Sequence, residues 1–167
     1  MTRSKYVPVL VALALFSIPA VAQSSIKIAA FQAYLFNSKT GQLSQDVLAK
    51  GAPELGNVPS GAFASVSALV VVRVAIGPQA PVPRKAQIRL VAVESGSLPL
   101  AAKQGNTPDR IILDKTSALG PVNDQGAAYV GFWLTQTGCH AIKLKASVVG
   151  SGESISLASD LPFVCYE

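Results

Sequence analysis

The residue types best suited to chemistry in this chain lie close together in sequence. Cys139 and His140 are adjacent and Cys165 follows later; the chain has two cysteines and one histidine in total. A thiol beside an imidazole is typical of a zinc site or of a nucleophile with its base. The stretch between the cysteines predicts instead a β-hairpin turning at 150–153. We therefore expect a Cys139–Cys165 disulfide across its two strands.

The register of this hairpin can be predicted from its apolar side chains. If the two cysteines are directly opposite, Ile155 and Leu157 fall on the face that carries two lysines of the first strand. A shift of one residue places Ile155 opposite Val148 on the apolar face, around a glycine-containing two-residue loop. The cysteines can be opposite one another while Ile155 pairs with Val148 only if the second strand contains one extra residue between these two points. We therefore predict a β-bulge near 160–162, where Pro162 has no ladder donor.

The first residues resemble a secretory signal peptide, 1–22. A basic start is followed by an apolar run over 7–18, and Ala-Val-Ala precedes a cleavage site between Ala22 and Gln23. The apolar run is too short for a good membrane span, although an uncleaved anchor is the alternative. We expect a mature domain, 23–167, in the periplasm or secreted, without a membrane span. An oxidising compartment also agrees with the expected disulfide.

Charge gives little information about partners. The net charge is +5, and removal of Arg3 and Lys5 with the signal peptide lowers it by two charges. The remaining basic residues are scattered, whereas a nucleic-acid-binding protein shows a basic stripe or a recognition motif. We therefore expect no nucleic-acid partner.

Few residues are available for catalysis or for metal binding. Met1, the only methionine, leaves with the signal peptide, and His140 has no second histidine to share a metal. No G-x-S-x-G motif is present, and Asp109 and Asp114 flank a strand as solvated carboxylates do. We expect no catalytic residues, no metal, no cofactor and no enzyme activity.

Apolar alternation, punctuated by Gly and Pro, predicts about seven strands and no long helix. The most continuous is 65–76, which we expect to be central, with Arg73 facing the outer surface or lying at the strand end. The pattern favours an all-β, antiparallel β-sandwich that resembles the immunoglobulin-like class in strand count and size. It departs from true immunoglobulin domains, because the cysteines lie on adjacent final strands and Trp133 comes late. A barrel or a jelly roll is the alternative.

One predicted strand, 127–134, carries two large aromatic side chains on the same face. Tyr129 and Trp133 flank Gly131, and the intervening side chains, Val130 and Phe132 among them, form the more apolar face. We expect that apolar face to be the core and the two aromatic residues to be partly exposed or covered by a loop. A glycine between two aromatic residues can form a flat platform for a sugar ring or a protein.

These observations favour a non-catalytic binding or accessory module whose partner is an unknown protein or glycan and whose oligomeric state is open. One alternative is a carbohydrate-binding module that uses Tyr129 and Trp133. Another is a structural subunit that assembles through strand edges, with the long apolar strand 26–36 as the first candidate.

Overall fold

The computed structural model describes residues 26–52, 55–56, 67–77, 85–96, 108–135, 137, 140–151 and 154–164. The expected signal peptide, 1–22, its cleavage between Ala22 and Gln23, and the expected Cys139–Cys165 disulfide all lie outside the described residues. Within those residues, no helix has the length and apolar character needed to cross a membrane.

The described chain is all-β, and each of the seven strands predicted from sequence is present. Two further strands have only two residues, and one of them lies within 52–63, where a loop was expected. The nine strands are β1 Ile26–Leu35, β2 Leu55–Gly56, β3 Ser67–Ile76, β4 Gln87–Glu94, β5 Arg110–Ala118, β6 Ala127–Thr135, β7 Ile142–Val149, β8 Ser156–Leu161 and β9 Phe163–Val164.

The long strands form two antiparallel sheets. One has three strands in the order β1-β3-β6, and the other has four strands in the order β5-β4-β7-β8. The short strands β2 and β9 pair in parallel, with Leu55 opposite Phe163, which departs from the purely antiparallel expectation. As predicted, the β-branched strand β3 is central, because it pairs with β1 on one side and β6 on the other.

The two sheets bury one face each in the same hydrophobic core. Alternate residues of β3 are buried in this core, and so are alternate residues of β4 and β7. Between the sheets, β1 lies against β7 and β8, while β6 lies against β5. Strict alternation of apolar residues is what a strand with one buried face requires.

The β7–β8 hairpin has the shifted register predicted from its apolar residues, but the predicted bulge is wrong. The backbone N–H of Val148 donates to the carbonyl of Ile155 at 2.9 Å. The ladder then continues without interruption to Ile142 opposite Leu161. No bulge is needed because the chain leaves β7 after Leu161 and pairs with β2 instead. Pro162, which has no donor for a ladder, stands at this change of partner.

Candidate functional site

The outer face of the three-stranded sheet is the most distinctive surface of the described chain. The sequence predicted that Tyr129 and Trp133 would be at least partly exposed, and their exposed fractions are 48% and 50%. Phe132, which lies between them in the chain, is 2% exposed and belongs to the core, as predicted. We define the aromatic face as the outward residues of β1, β3 and β6 together with Phe36, which directly follows β1: Ala30, Gln32, Tyr34, Phe36, Leu69, Val71, Arg73, Tyr129, Gly131 and Trp133.

The strand register groups the residues of the aromatic face into rows that run across the sheet. Their direct pairing is fixed by the ladders of β3 with β1 and β6, so the rows belong to a rigid, hydrogen-bonded scaffold. The three rows are Tyr34–Leu69–Trp133, Gln32–Val71–Gly131 and Ala30–Arg73–Tyr129.

Trp133 is held in place by a second aromatic ring. Its ring centroid lies 5.7 Å from that of Phe36, with the planes at 90° to one another. This edge-to-face arrangement is favourable for aromatic pairs. The backbone of Phe36 is anchored to the neighbouring strand, because its N–H donates to the carbonyl of Ser67 at 3.2 Å. The indole is therefore held against a neighbouring ring on the surface of the sheet.

Gly131 keeps the floor between the two exposed aromatic residues low. A Cβ atom added there would lie 3.3 Å from Cδ1 of Leu69, on the neighbouring strand. The Leu69 side chain therefore packs against the bare backbone of Gly131. The result is a depression between Tyr129 and Trp133 rather than a bulge of the strand, because β3 and β6 pair without a register shift.

The aromatic face carries positive charge and no carboxylate of its own. None of the three strands contains Asp or Glu. Arg73 is exposed, as the sequence predicted, and stands directly between Ala30 and Tyr129. No ion pair within the described ranges involves its guanidinium. Lys27, near the start of β1 and opposite Ala75, is also exposed.

One outer edge of this sheet is partly closed by the segment that follows β1. Asp46 Oδ1 accepts a hydrogen bond from the N–H of Ala33 at 2.9 Å, and Ser44 Oγ accepts one from Leu35 at 2.9 Å. The carbonyl of Ala33 accepts from the N–H of Val47, and the carbonyl of Leu35 accepts from the N–H of Ser44. The half of β1 that precedes Ala33 has no strand on its outer side among the described residues. The edge is thus blunted over only part of its length.

His140 lies at one end of the four-stranded sheet, beside an open cleft of about 570 Å³. Its Nδ1 atom is buried and has no hydrogen-bond partner in the described structure. Two carboxylates of the cleft are already engaged: Glu94 accepts from Arg110 at 2.7 Å, and Asp109 lies 3.6 Å from Lys143. No group of three or more residues that could hold a metal ion occurs within the described ranges.

The outer face of the four-stranded sheet is charged. Arg89 Nε and Nη2 donate to Asp114 Oδ1 and Oδ2 at 2.7 and 2.6 Å. These hydrogen bonds, and secondarily the positive charge, hold the pKa of Asp114 below its usual value. The same contact raises the pKa of Arg89 above its usual value. Asp114 thus belongs to an exposed ion pair opposite Val91, and His140 to the cleft at the strand ends.

Comparison with known proteins adds a distant similarity to solved structures. No family model matches the chain, and no curated protein matches it. Among solved structures, the chain is similar to a β-glucuronidase of Bifidobacterium dentium complexed with coumarin-3-O-glucuronide. The sequence identity is 11% and the TM-score is 0.42. The similar region covers 84% of this chain but only 18% of the β-glucuronidase chain.

Sequence reasoning found two members of the aromatic face and missed the others. Tyr34 and Phe36 were read only as part of an apolar strand, and Arg73 only as an outward charge. What unites them with Trp133 is the pairing of β3 with both β1 and β6. The sequence signal for these residues is the alternation at the end of β1, because the outward positions 32, 34 and 36 all carry large side chains.

Proposed function

We propose that this chain is an exported, non-catalytic binding module that contacts its partner through the aromatic face. The observation that carries the proposal is the half-exposed Trp133, fixed against Phe36 on a paired strand. Tryptophan and tyrosine are the residues that contribute most to binding when they are rigidly presented. Burying such large apolar surface against a partner is favourable because it removes that surface from water.

The proposed scaffold is an immunoglobulin-like β-sandwich with a disulfide-linked C-terminal hairpin. Two antiparallel sheets with a common core support the sandwich. The signal-peptide pattern of 1–22 supports export to the periplasm or secretion, where the Cys139–Cys165 disulfide is stable. Each sheet is held by strand pairing and buries one face in the shared core, so its outer face is a fixed surface that suits a binding module.

The absence of a catalytic role is supported by the state of the polar residues. Asp114 is bound by Arg89, and Glu94 by Arg110, so both carboxylates lie in ion pairs of the surface. A general acid or base needs a poised partner within hydrogen-bonding reach. His140, the one imidazole, has no such partner at Nδ1 in the described chain.

Native mass spectrometry of unreduced protein from the exported fraction of the producing cells tests this proposal. We expect a mass that begins at Gln23, lacks the two thiol hydrogens and carries a bound partner. Trp133→Ala should keep the processed mass and lose the partner. Ile111→Ala removes another exposed apolar side chain, on the four-stranded sheet, and should keep the partner. Equal retention by both variants would contradict binding through the aromatic face.

Assembly through strand edges is a second proposal, favoured by the position of β1. This strand is at the edge of its sheet, and only its second half is covered by Asp46 and Ser44. An uncovered strand edge can pair with a strand of another chain. Sedimentation of the mature protein across a wide concentration range should then show oligomers that Ala29→Pro dissociates. A monomer at every concentration would exclude this assembly.

A further inference from the structure

We propose that the aromatic face binds an anionic saccharide, with sugar rings packed on Trp133 and Tyr129 and an acidic group bound by Arg73. This inference rests on the proposed function and names the ligand class of the same surface. It starts from the charge of the sheet. The three strands contain Lys27 and Arg73 as their charged residues and no acid.

Arg73 is the cation best placed to select a ligand. It lies directly opposite Tyr129 in the register, two positions along the strand from the Val71–Gly131 pair. It is exposed, and no carboxylate within the described ranges pairs with it. By contrast, Arg89 on the other sheet is matched by Asp114. A guanidinium presents a planar fork that binds a carboxylate or a sulfate through two parallel hydrogen bonds.

The size of the aromatic face favours a small ligand over a protein surface. Three strands span about 15 Å, and the distance from the row of Arg73 to Phe36 is about 20 Å along the strands. A planar area on the order of 300 Å² is well below the roughly 800 Å² that each partner buries in a standard protein–protein interface. A peptide strand would pair with an edge of the sheet, whereas this surface is a face.

The mixture of groups on this face matches the two sides of a sugar ring. The C–H side of a sugar is apolar and slightly positive, so it packs on the electron-rich face of an indole or a phenol. The hydroxyl groups need donors and acceptors, which Gln32 and Tyr34 supply from the same rows. Gly131 carries no side chain between the two aromatic residues, and the Leu69 side chain beside it adds apolar surface there.

Tryptophan fluorescence tests the inference directly, because Trp133 is the only tryptophan in the chain. The probes are oligogalacturonates, alginate oligosaccharides and chondroitin sulfate oligosaccharides, with methyl-esterified oligogalacturonates as the uncharged match. We expect saturable quenching by at least one acidic probe. Where the acidic form of the galacturonates binds, its methyl ester should bind about tenfold more weakly or worse, because a charge-assisted hydrogen bond is lost.

Two variants separate charge selection from binding as such. Arg73→Gln should weaken binding of the acidic probe about tenfold while the fold is kept, and Lys145→Gln, on the outer face of the other sheet, should leave it unchanged. Equal binding of charged and neutral saccharides would overturn the anionic class and leave the proposed function standing. If none of the acidic probes changes the fluorescence while Trp133→Ala still loses a protein partner, the saccharide inference is wrong. If Trp133→Ala still binds both the saccharide and the partner, the proposed function is overturned as well.

Discussion

The outer face of the three-stranded sheet carries Tyr129 and Trp133, whereas the outer face of the four-stranded sheet carries charges such as Arg89, Asp114 and Lys145. All three ion pairs found in the described structure involve the four-stranded sheet or the residue just before it. Both sheets bury equally regular apolar faces in one core. The difference is therefore confined to the outward positions, where side chains are not needed for folding.

The outer faces of the two sheets differ in how they meet water. Charged side chains on an outer face favour solubility of the protein, and they can form ion pairs with one another. An aromatic outer face leaves apolar surface in water, which has no benefit to the folded domain alone. This contrast is the physical reason for our proposal that the aromatic face contacts a partner.

The sharpest test compares neighbours on β6 that point in opposite directions. Phe132→Ala should lower the free energy of unfolding by about 3–5 kcal/mol, because it removes a buried ring and leaves a cavity. Trp133→Ala should lower it by only about 1 kcal/mol, since the main loss is the edge-to-face contact with Phe36. Urea denaturation measures both. Similar losses would mean that Trp133 belongs to the core and that the two faces of this strand are not distinct.

A second test concerns Asp46, which follows β1 and binds its backbone. Asp46 binds backbone rather than a cation, because its Oδ1 accepts from Ala33 and from Leu48 at 2.9 and 3.0 Å. Asp46→Ala should lower the free energy of unfolding by about 1–2 kcal/mol. It should also uncover the edge of β1. Asp46→Asn keeps an acceptor oxygen and should lose less; equal losses in both variants would indicate that charge, not edge closure, is its contribution.

A third test probes the depression in the aromatic face. In Gly131→Ala the new methyl group meets a flexible Leu69 side chain, which must shift by a few tenths of an ångström. Alanine also restricts the unfolded chain, so the net change in the free energy of unfolding should stay below about 1 kcal/mol. Thermal unfolding measures this change. A large loss of stability would mean that Leu69 cannot move and that this part of the face is packed like core.

The smallest expected effect is on the charged face and depends on pH. The pKa of Asp114 is lowered in the folded protein by Arg89, so the pair stabilises the fold above the ordinary carboxyl pKa. That contribution is lost as the pH falls through the lowered value. Carboxyl titration by NMR should show the depressed midpoint, and Arg89→Gln should return it toward the ordinary value. An unchanged midpoint would mean that the ion pair is not formed in solution.

The sequence predicted individual strands well because each strand records its own burial. Alternation along β6 correctly separated Phe132 from Trp133, and the apolar residues of the final hairpin gave the correct pairing of Val148 with Ile155. Export, the disulfide and binding remain predictions. They concern residues outside the described ranges, or a partner.

What sequence could not supply was the relation between distant strands. The aromatic face depends on the order β1-β3-β6, which no local pattern encodes. The wrong bulge has the same origin. It assumed that the chain stays on β7 as far as Cys165, whereas Phe163 finds its partner in Leu55, within a segment whose Pro and Gly content predicted a loop.

The pairing of β9 with β2 has a consequence for the order of events during synthesis. Phe163 and Leu55 are both buried and lie opposite one another in the parallel pair, so this pair forms only when both strands are present. A ribosome delivers Leu55 early and Phe163 only after all the strands of both large sheets. The β2–β9 pair is therefore completed late, and a chaperone that holds the chain unfolded until its last strand is available would favour correct pairing. A chain that ends before Phe163 lacks the partner strand of β2.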